Sequence, residues 1–207
     1  MLIKKLGQDK NTLYSQLNTI VNKGQIVFVG DSLIENFPID ELYQGDKTIY
    51  NRGIAGSSTY DVLARLKEIV IPLEPSKVFL LVGTNDFMPH IIGNDEGSIS
   101  HRVIEICDKI VSDVPCCKIH VISLFPINES EDSKIYKDWQ IGKTNDKVQA
   151  VNSNLCELSA RRGYQFINVY PYLVNQDGQL DINLTLDGTH VNIPAYEMIL
   201  EQIAKYF

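Results

Sequence analysis

From its amino end, the chain alternates short runs of consecutive apolar residues with longer stretches in which apolar positions recur every three or four residues. The runs Gln25–Val29, Thr48–Tyr50, Lys77–Val82, Lys118–Leu124 and Tyr164–Val169 read as strands. Val78-Phe79-Leu80-Leu81-Val82 contains no polar position. A strand of that kind has both faces covered, as in a parallel sheet, rather than one face in water. The stretches Thr59–Val70, Ser98–Ser112 and Asn145–Arg161, and Pro194–Tyr206 after the last strand, predict amphipathic helices. In the first of them Val62, Leu63, Leu66 and Val70 share one face. Lys10–Asn22 predicts a further helix ahead of the first strand, with Gly24 as its stop.

This β-α-β-α order predicts a three-layer α/β/α sandwich on a parallel sheet, with right-handed crossovers. The 207 residues fit a single domain over 1–207, with a core of about 25–207 and an N-terminal helix of about 10–22. A chain of this size buries roughly 70% of the surface it exposes when unfolded. The segment Pro126–Thr144 is long and polar for a strand-to-helix connection and holds the only tryptophan, Trp139. Loops of such length usually carry function, so it is expected to border the binding pocket and to be mobile. In sheets of this class chemistry collects at the carboxyl ends of the strands.

Composition removes several functions. The formal charge is −7 and basic residues cluster no further than pairs, Lys4-Lys5 and Arg161-Arg162, which disfavours a nucleic-acid partner. No stretch approaches the roughly 20 apolar residues that span a bilayer. The first residues lack the apolar segment of a signal peptide. Cys107, Cys116, Cys117 and Cys156 have no zinc-ligand spacing, and the adjacent Cys116-Cys117 suits no ordinary disulfide framework. Reduced thiols and a cytoplasmic setting are therefore expected.

Three strand ends and one C-terminal pair carry candidate chemistry. The first strand runs into Gly30-Asp31-Ser32-Leu33, where a glycine turn delivers Ser32 to a helix start. There its hydroxyl is exposed and its N–H lacks an intrahelical partner. The alternative is that Asp31 or Ser32 only caps the helix. The second strand ends in Asn51-Arg52-Gly53-Ile54-Ala55-Gly56-Ser57-Ser58, a small-residue loop able to present N–H groups to an anion. The third ends in Gly83-Thr84-Asn85-Asp86, where the Asn85 amide can donate and Asp86 can cap the next turn. Near the C-terminus, Asp187 stands three residues before His190. That spacing lets the carboxylate reach Nδ1 and leaves Nε2 to accept a proton. His120 falls within a buried strand, His101 on a helix, and His90 in a loop with no acid placed to orient it, although Asp86 is near.

In this order the segments Gly30-Asp31-Ser32, Gly53, Gly83-Thr84-Asn85-Asp86 and Asp187-Gly188-Thr189-His190 resemble the motif blocks of the SGNH (GDSL-like) hydrolases. The first extends through Leu33 to Gly-Asp-Ser-Leu, and the likeness runs from about Gln25 to the C-terminus. The resemblance implies a flavodoxin-like five-stranded sheet and ester hydrolysis without metal or cofactor. It implies Ser32 as nucleophile, His190 as general base and Asp187 as its orienter. It also implies an oxyanion hole of the Ser32 N–H, the Gly53 N–H and the Asn85 side chain. Thr189 stands where a bulkier residue is common, which bears on pocket shape.

The expected partner is a small-molecule ester, and self-association into a homo-oligomer stays open. Small residues at Ala55, Gly56 and Ser57, with no greasy lid evident, point to short acyl or acetyl groups. The competing class is a non-catalytic nucleotide- or phosphate-binding module. Gly53-Ile54-Ala55-Gly56 lacks Gly-x-Gly-x-x-Gly, however, and Lys137 stands where a phosphate loop ending in Gly142-Lys143-Thr144 requires its first glycine.

Overall fold

The computed structural model describes residues 2–207, with side chains from Gly7 onward. Five parallel strands, β1 (Ile26–Gly30), β2 (Ile49–Gly53), β3 (Lys77–Leu81), β4 (Lys118–Ile122) and β5 (Gln165–Ile167), pair in the order β2-β1-β3-β4-β5. This is the flavodoxin-like order. The helices are α1 (Leu2–Leu17), α2 (Ser32–Glu35), α3 (Ile39–Leu42), α4 (Thr59–Ile69), α5 (Glu96–Asp113), α6 (Asn145–Arg162) and α7 (Ile193–Ile203).

The register explains the core. Phe28, Phe79 and His120 are direct partners across β1, β3 and β4. Their rings stack in a row, with centroids 4.9 and 4.5 Å apart. Tyr206 and Phe207, beyond α7, pack against that row and close this face of the sheet. Strand residues one position away point to the opposite face. Helices α1, α4, α5 and α6 lie side by side in that order. Phe28 and Phe79 are fully buried, and truncating such a side chain to alanine costs about 3–5 kcal/mol.

Every strand and long helix expected from periodicity is present, with shifts of a few residues at the ends. The N-terminal helix shows the largest shift: it occupies Leu2–Leu17 rather than 10–22. It stops at Asn18, whose buried side chain donates to Glu68 O and accepts from Arg52. Gly24 is no helix stop. Its φ of 76° belongs to a turn further on, where its N–H donates to Leu73 O.

Candidate active site

The carboxyl ends of β1, β2 and β3 lie side by side, and the loops leaving them meet the segment before α7. Ser32 is the first residue of α2. Asp31 caps that helix, its Oδ1 accepting the Leu33 N–H at 2.9 Å. The Ser32 N–H, on the helix's open first turn, has no acceptor among the described residues. Behind it the Tyr196 hydroxyl of α7 donates to Leu33 O at 2.9 Å and holds the turn on the sheet.

Ser32 Oγ lies 2.9 Å from His190 Nε2, and His190 Nδ1 lies 2.7 Å from Asp187 Oδ2. Asp187 Oδ1 accepts the N–H groups of Thr189 and His190 at 2.9 and 2.8 Å. The acid thus grips its own turn while orienting the ring. A carboxylate on Nδ1–H assigns the tautomer that leaves Nε2 as acceptor. Burial pushes the Asp187 carboxyl upward, but the bonds from His190 and Thr189 outweigh it and hold the group below the ordinary carboxylate value. Thr185 completes the turn: its hydroxyl donates to His190 O at 2.7 Å and accepts the Gly188 N–H at 2.8 Å.

Of the three groups expected from the sequence as oxyanion donors, Ser32 and Asn85 border the cavity and Gly53 does not. Asn85 Nδ2 donates one hydrogen to Ser57 O at 3.0 Å, and the amide keeps its second. Gly53 does not line the cavity, and its N–H donates to Asn51 Oδ1 at 2.9 Å. The physical reason for that glycine is packing: a Cβ there would stand 2.2 Å from Glu35 N, so only glycine lets α2 lie against β2. Gly56 lines the cavity instead, with φ at 73°, and its N–H has no acceptor among the described residues.

Three features escaped the sequence reading. Lys143 is buried in the cavity wall, and its Nζ donates to Trp139 O. Burial pulls its ammonium down to about 8, against the pull of the Asp31 and Asp187 carboxylates. Asp31 is fully buried, and burial pushes its carboxyl up to about 6, opposed by the Leu33 N–H and by Lys143 and His190. Trp139 meets the His190 ring edge-on, with centroids 5.8 Å apart and planes at 84°. For Trp139 and Lys143 the only sequence signal was the length and polarity of Pro126–Thr144. That segment does border the cavity through Trp139 and Lys143. It is laced to the histidine turn, with Tyr136 N donating to Asp187 O at 2.8 Å and Asn128 N to Gly188 O at 2.9 Å.

The other histidines stand apart. His101 bonds Gly97 O on the surface. His120 is buried in the aromatic row, where burial pulls its pKa down to about 4. The cavity itself measures about 420 Å³. A serine hydroxyl, a ring nitrogen to take its proton and N–H groups without acceptors equip it for acyl transfer.

Comparison with known proteins gives the same direction. The profile of the GDSL-like Lipase/Acylhydrolase family matches residues 28–198. A structure from Streptococcus pneumonia, described as a candidate platelet activating factor, is 31% identical, with a TM-score of 0.89 over 99% of this chain and 94% of that one. A candidate acylhydrolase from Bacteroides fragilis is 21% identical, with a TM-score of 0.81 over 94% of each chain. A GDSL-like lipase from Bacteroides thetaiotaomicron is 20% identical, with a TM-score of 0.81 over 95% of this chain and 96% of that one. At those last two identities the likeness is one of fold. No curated protein matches the chain. Among the described residues, no helix is long and apolar enough to cross a membrane.

Proposed function

Because the chain belongs to the GDSL-like Lipase/Acylhydrolase family, we propose that it is a serine carboxylic-ester hydrolase working through Ser32, His190 and Asp187. The observation that carries this reading is the continuous relay from Ser32 Oγ through His190 to Asp187, with contacts of 2.9 and 2.7 Å. His190 takes the Ser32 proton as Oγ attacks the ester carbonyl. The Ser32 N–H, the Gly56 N–H and Asn85 Nδ2 receive the oxyanion, Gly56 replacing Gly53 in that role. Protonated His190 then gives its proton to the departing alcohol, and water repeats the cycle on the acyl-enzyme. Each oxyanion donor contributes on the order of 3 kcal/mol to the barrier.

Short-chain p-nitrophenyl esters, acetate and butyrate, are substrates under this reading. Turnover survives EDTA, since His190 activates the nucleophile and N–H donors hold the charge. A cytoplasmic setting fits the four unpaired cysteines, two of them, Cys116 and Cys156, exposed. The test is covalent: a fluorophosphonate labels Ser32 in the wild type, and Ser32→Ala loses both label and turnover at unchanged thermal stability. A phosphate-binding module gives no label. Appreciable turnover in a folded Ser32→Ala would place the nucleophile elsewhere.

A further inference from the structure

Four residues of α1, Gly7, Asp9, Lys10 and Leu13, line the cavity that holds Ser32 and His190. Yet α1 precedes the residues 28–198 that match the family profile. Hydrogen bonds and an ion pair fasten the helix and the residue after it to the rest of the fold. Lys10 Nζ pairs with Glu35 Oε1 at 2.7 Å. The Tyr14 hydroxyl donates to Gly53 O at 3.0 Å. Asn18 joins Arg52 of β2 to Glu68 of α4. Glu35 also accepts the Ala55 N–H at 2.5 Å. Through Glu35, then, α1, α2 and the loop after β2 form one continuous wall.

Apart from the exposed Asp9 carboxylate, that wall offers carbon rather than hydrogen bonds. The Lys10 charge, the Glu35 carboxylate and the Ala55 N–H satisfy one another, which leaves the Lys10 methylenes, Leu13, Ile54 and the Ala55 methyl facing the cavity. A sugar ring pressed against it would give up water and find, beyond Asp9, few partners for its hydroxyls. Leu13 is 49% exposed although it borders the pocket, and Trp139, reaching the cavity from a different loop, is 37% exposed. Both present apolar surface that a bound chain would cover. At about 420 Å³ the cavity falls within the roughly 300–1,000 Å³ range of sites that enclose whole small molecules. An acetyl group would leave most of it empty.

Resting on the hydrolase reading above, we propose that α1 is a substrate-binding wall that selects esters with a linear apolar chain of the octanoyl class over acetyl esters. The experiment is a p-nitrophenyl ester series from acetate to decanoate, at concentrations below micelle formation, with competent enzyme counted by fluorophosphonate titration. In the wild type, kcat/KM rises about fourfold for each added methylene that leaves water, until the cavity is full. Leu13→Ser lowers the octanoate-to-acetate ratio about tenfold or more. Ile20→Ser makes the same chemical change at a residue 78% exposed beyond the end of α1 and outside the cavity lining, and leaves the ratio as it was. A flat wild-type series overturns the proposal. So does an unchanged ratio in a Leu13→Ser enzyme that still labels at Ser32. Absence of both turnover and label in the wild type overturns the hydrolase reading, and this one with it.

Discussion

Thr59 donates both its backbone N–H and its hydroxyl to the Asp86 carboxylate, at 2.9 and 2.5 Å. This single contact ties the start of α4, just after the Gly56 loop, to the turn that carries Asn85. Arg102 of α5 closes the arrangement, its guanidinium reaching Asp86 Oδ1 at 3.0 Å and Thr59 Oγ1 at 2.8 Å. The two loops that carry the proposed oxyanion donors are thereby set against each other by a buried ion pair.

Asp86→Asn keeps the shape of that junction and removes its charge. The donors then shift, and kcat falls between about 10- and 100-fold, with KM changing far less. Stability drops as well, because losing one partner of a buried pair costs about 3–5 kcal/mol. Steady-state kinetics at a temperature well below the melting point separates the two effects. A rise in KM at constant kcat would show that Asp86 serves binding instead.

Asn85→Ala removes a donor that acts mainly in the transition state, so kcat falls about 10²- to 10³-fold while KM moves little. The same change frees Ser57 O, at a stability cost of about 1 kcal/mol. A kcat within a few-fold of wild type would reduce Asn85 to a tether for the Ser57 loop.

Asp187→Asn separates two duties of one side chain. The amide oxygen can still accept the Thr189 and His190 N–H groups and keep the turn. Its NH₂ cannot accept from Nδ1, and so favours the tautomer in which Nε2 carries the hydrogen. The expected result is a loss of at least about 10²-fold in kcat with little change in melting temperature. A near-normal rate would leave a Ser32–His190 dyad as the working unit.

Two acids near Ser32, the half-buried Asp187 and the buried Asp31, link folding to pH with opposite signs. Asp187 is held below the ordinary carboxylate value, so the stability it contributes is complete above that value and is lost as the pH falls through its folded pKa. Asp31, pushed up to about 6, binds its proton more tightly when folded. Its contribution is complete below the ordinary carboxylate value and is lost as the pH rises to about 6. The cost at neutral pH is on the order of 3 kcal/mol. The stability of Asp31→Asn relative to wild type should therefore improve by about that amount between pH 4 and pH 8. Denaturant unfolding of both proteins at the two pH values measures it, and a difference that ignores pH would contradict the assignment.

The sequence by itself determined the parts that depend on near neighbours along the chain. The apolar runs located all five strands, because burial on both faces of a sheet leaves few polar positions in the central ones. The three-residue spacing of Asp187 and His190 was legible for the same reason: one tight turn brings carboxylate to ring. Tertiary structure alone decided the rest. Gly53 and Gly56 read alike in sequence. One proves to be the place where α2 lies against β2, with its N–H taken by Asn51, and the other lines the cavity with its N–H unpaired. Asp86 could have been a simple turn cap, but its partners lie 27 residues back and 16 ahead, on helices that only the packed layers bring together. For α1, periodicity predicted a helix but not its bounds, nor that its side chains line the cavity that holds Ser32. Hydrophobic spacing records which face of an element is buried. It does not record what that face is buried against, and it is this long-range choice that settles which polar groups stay unpaired and which walls enclose the site.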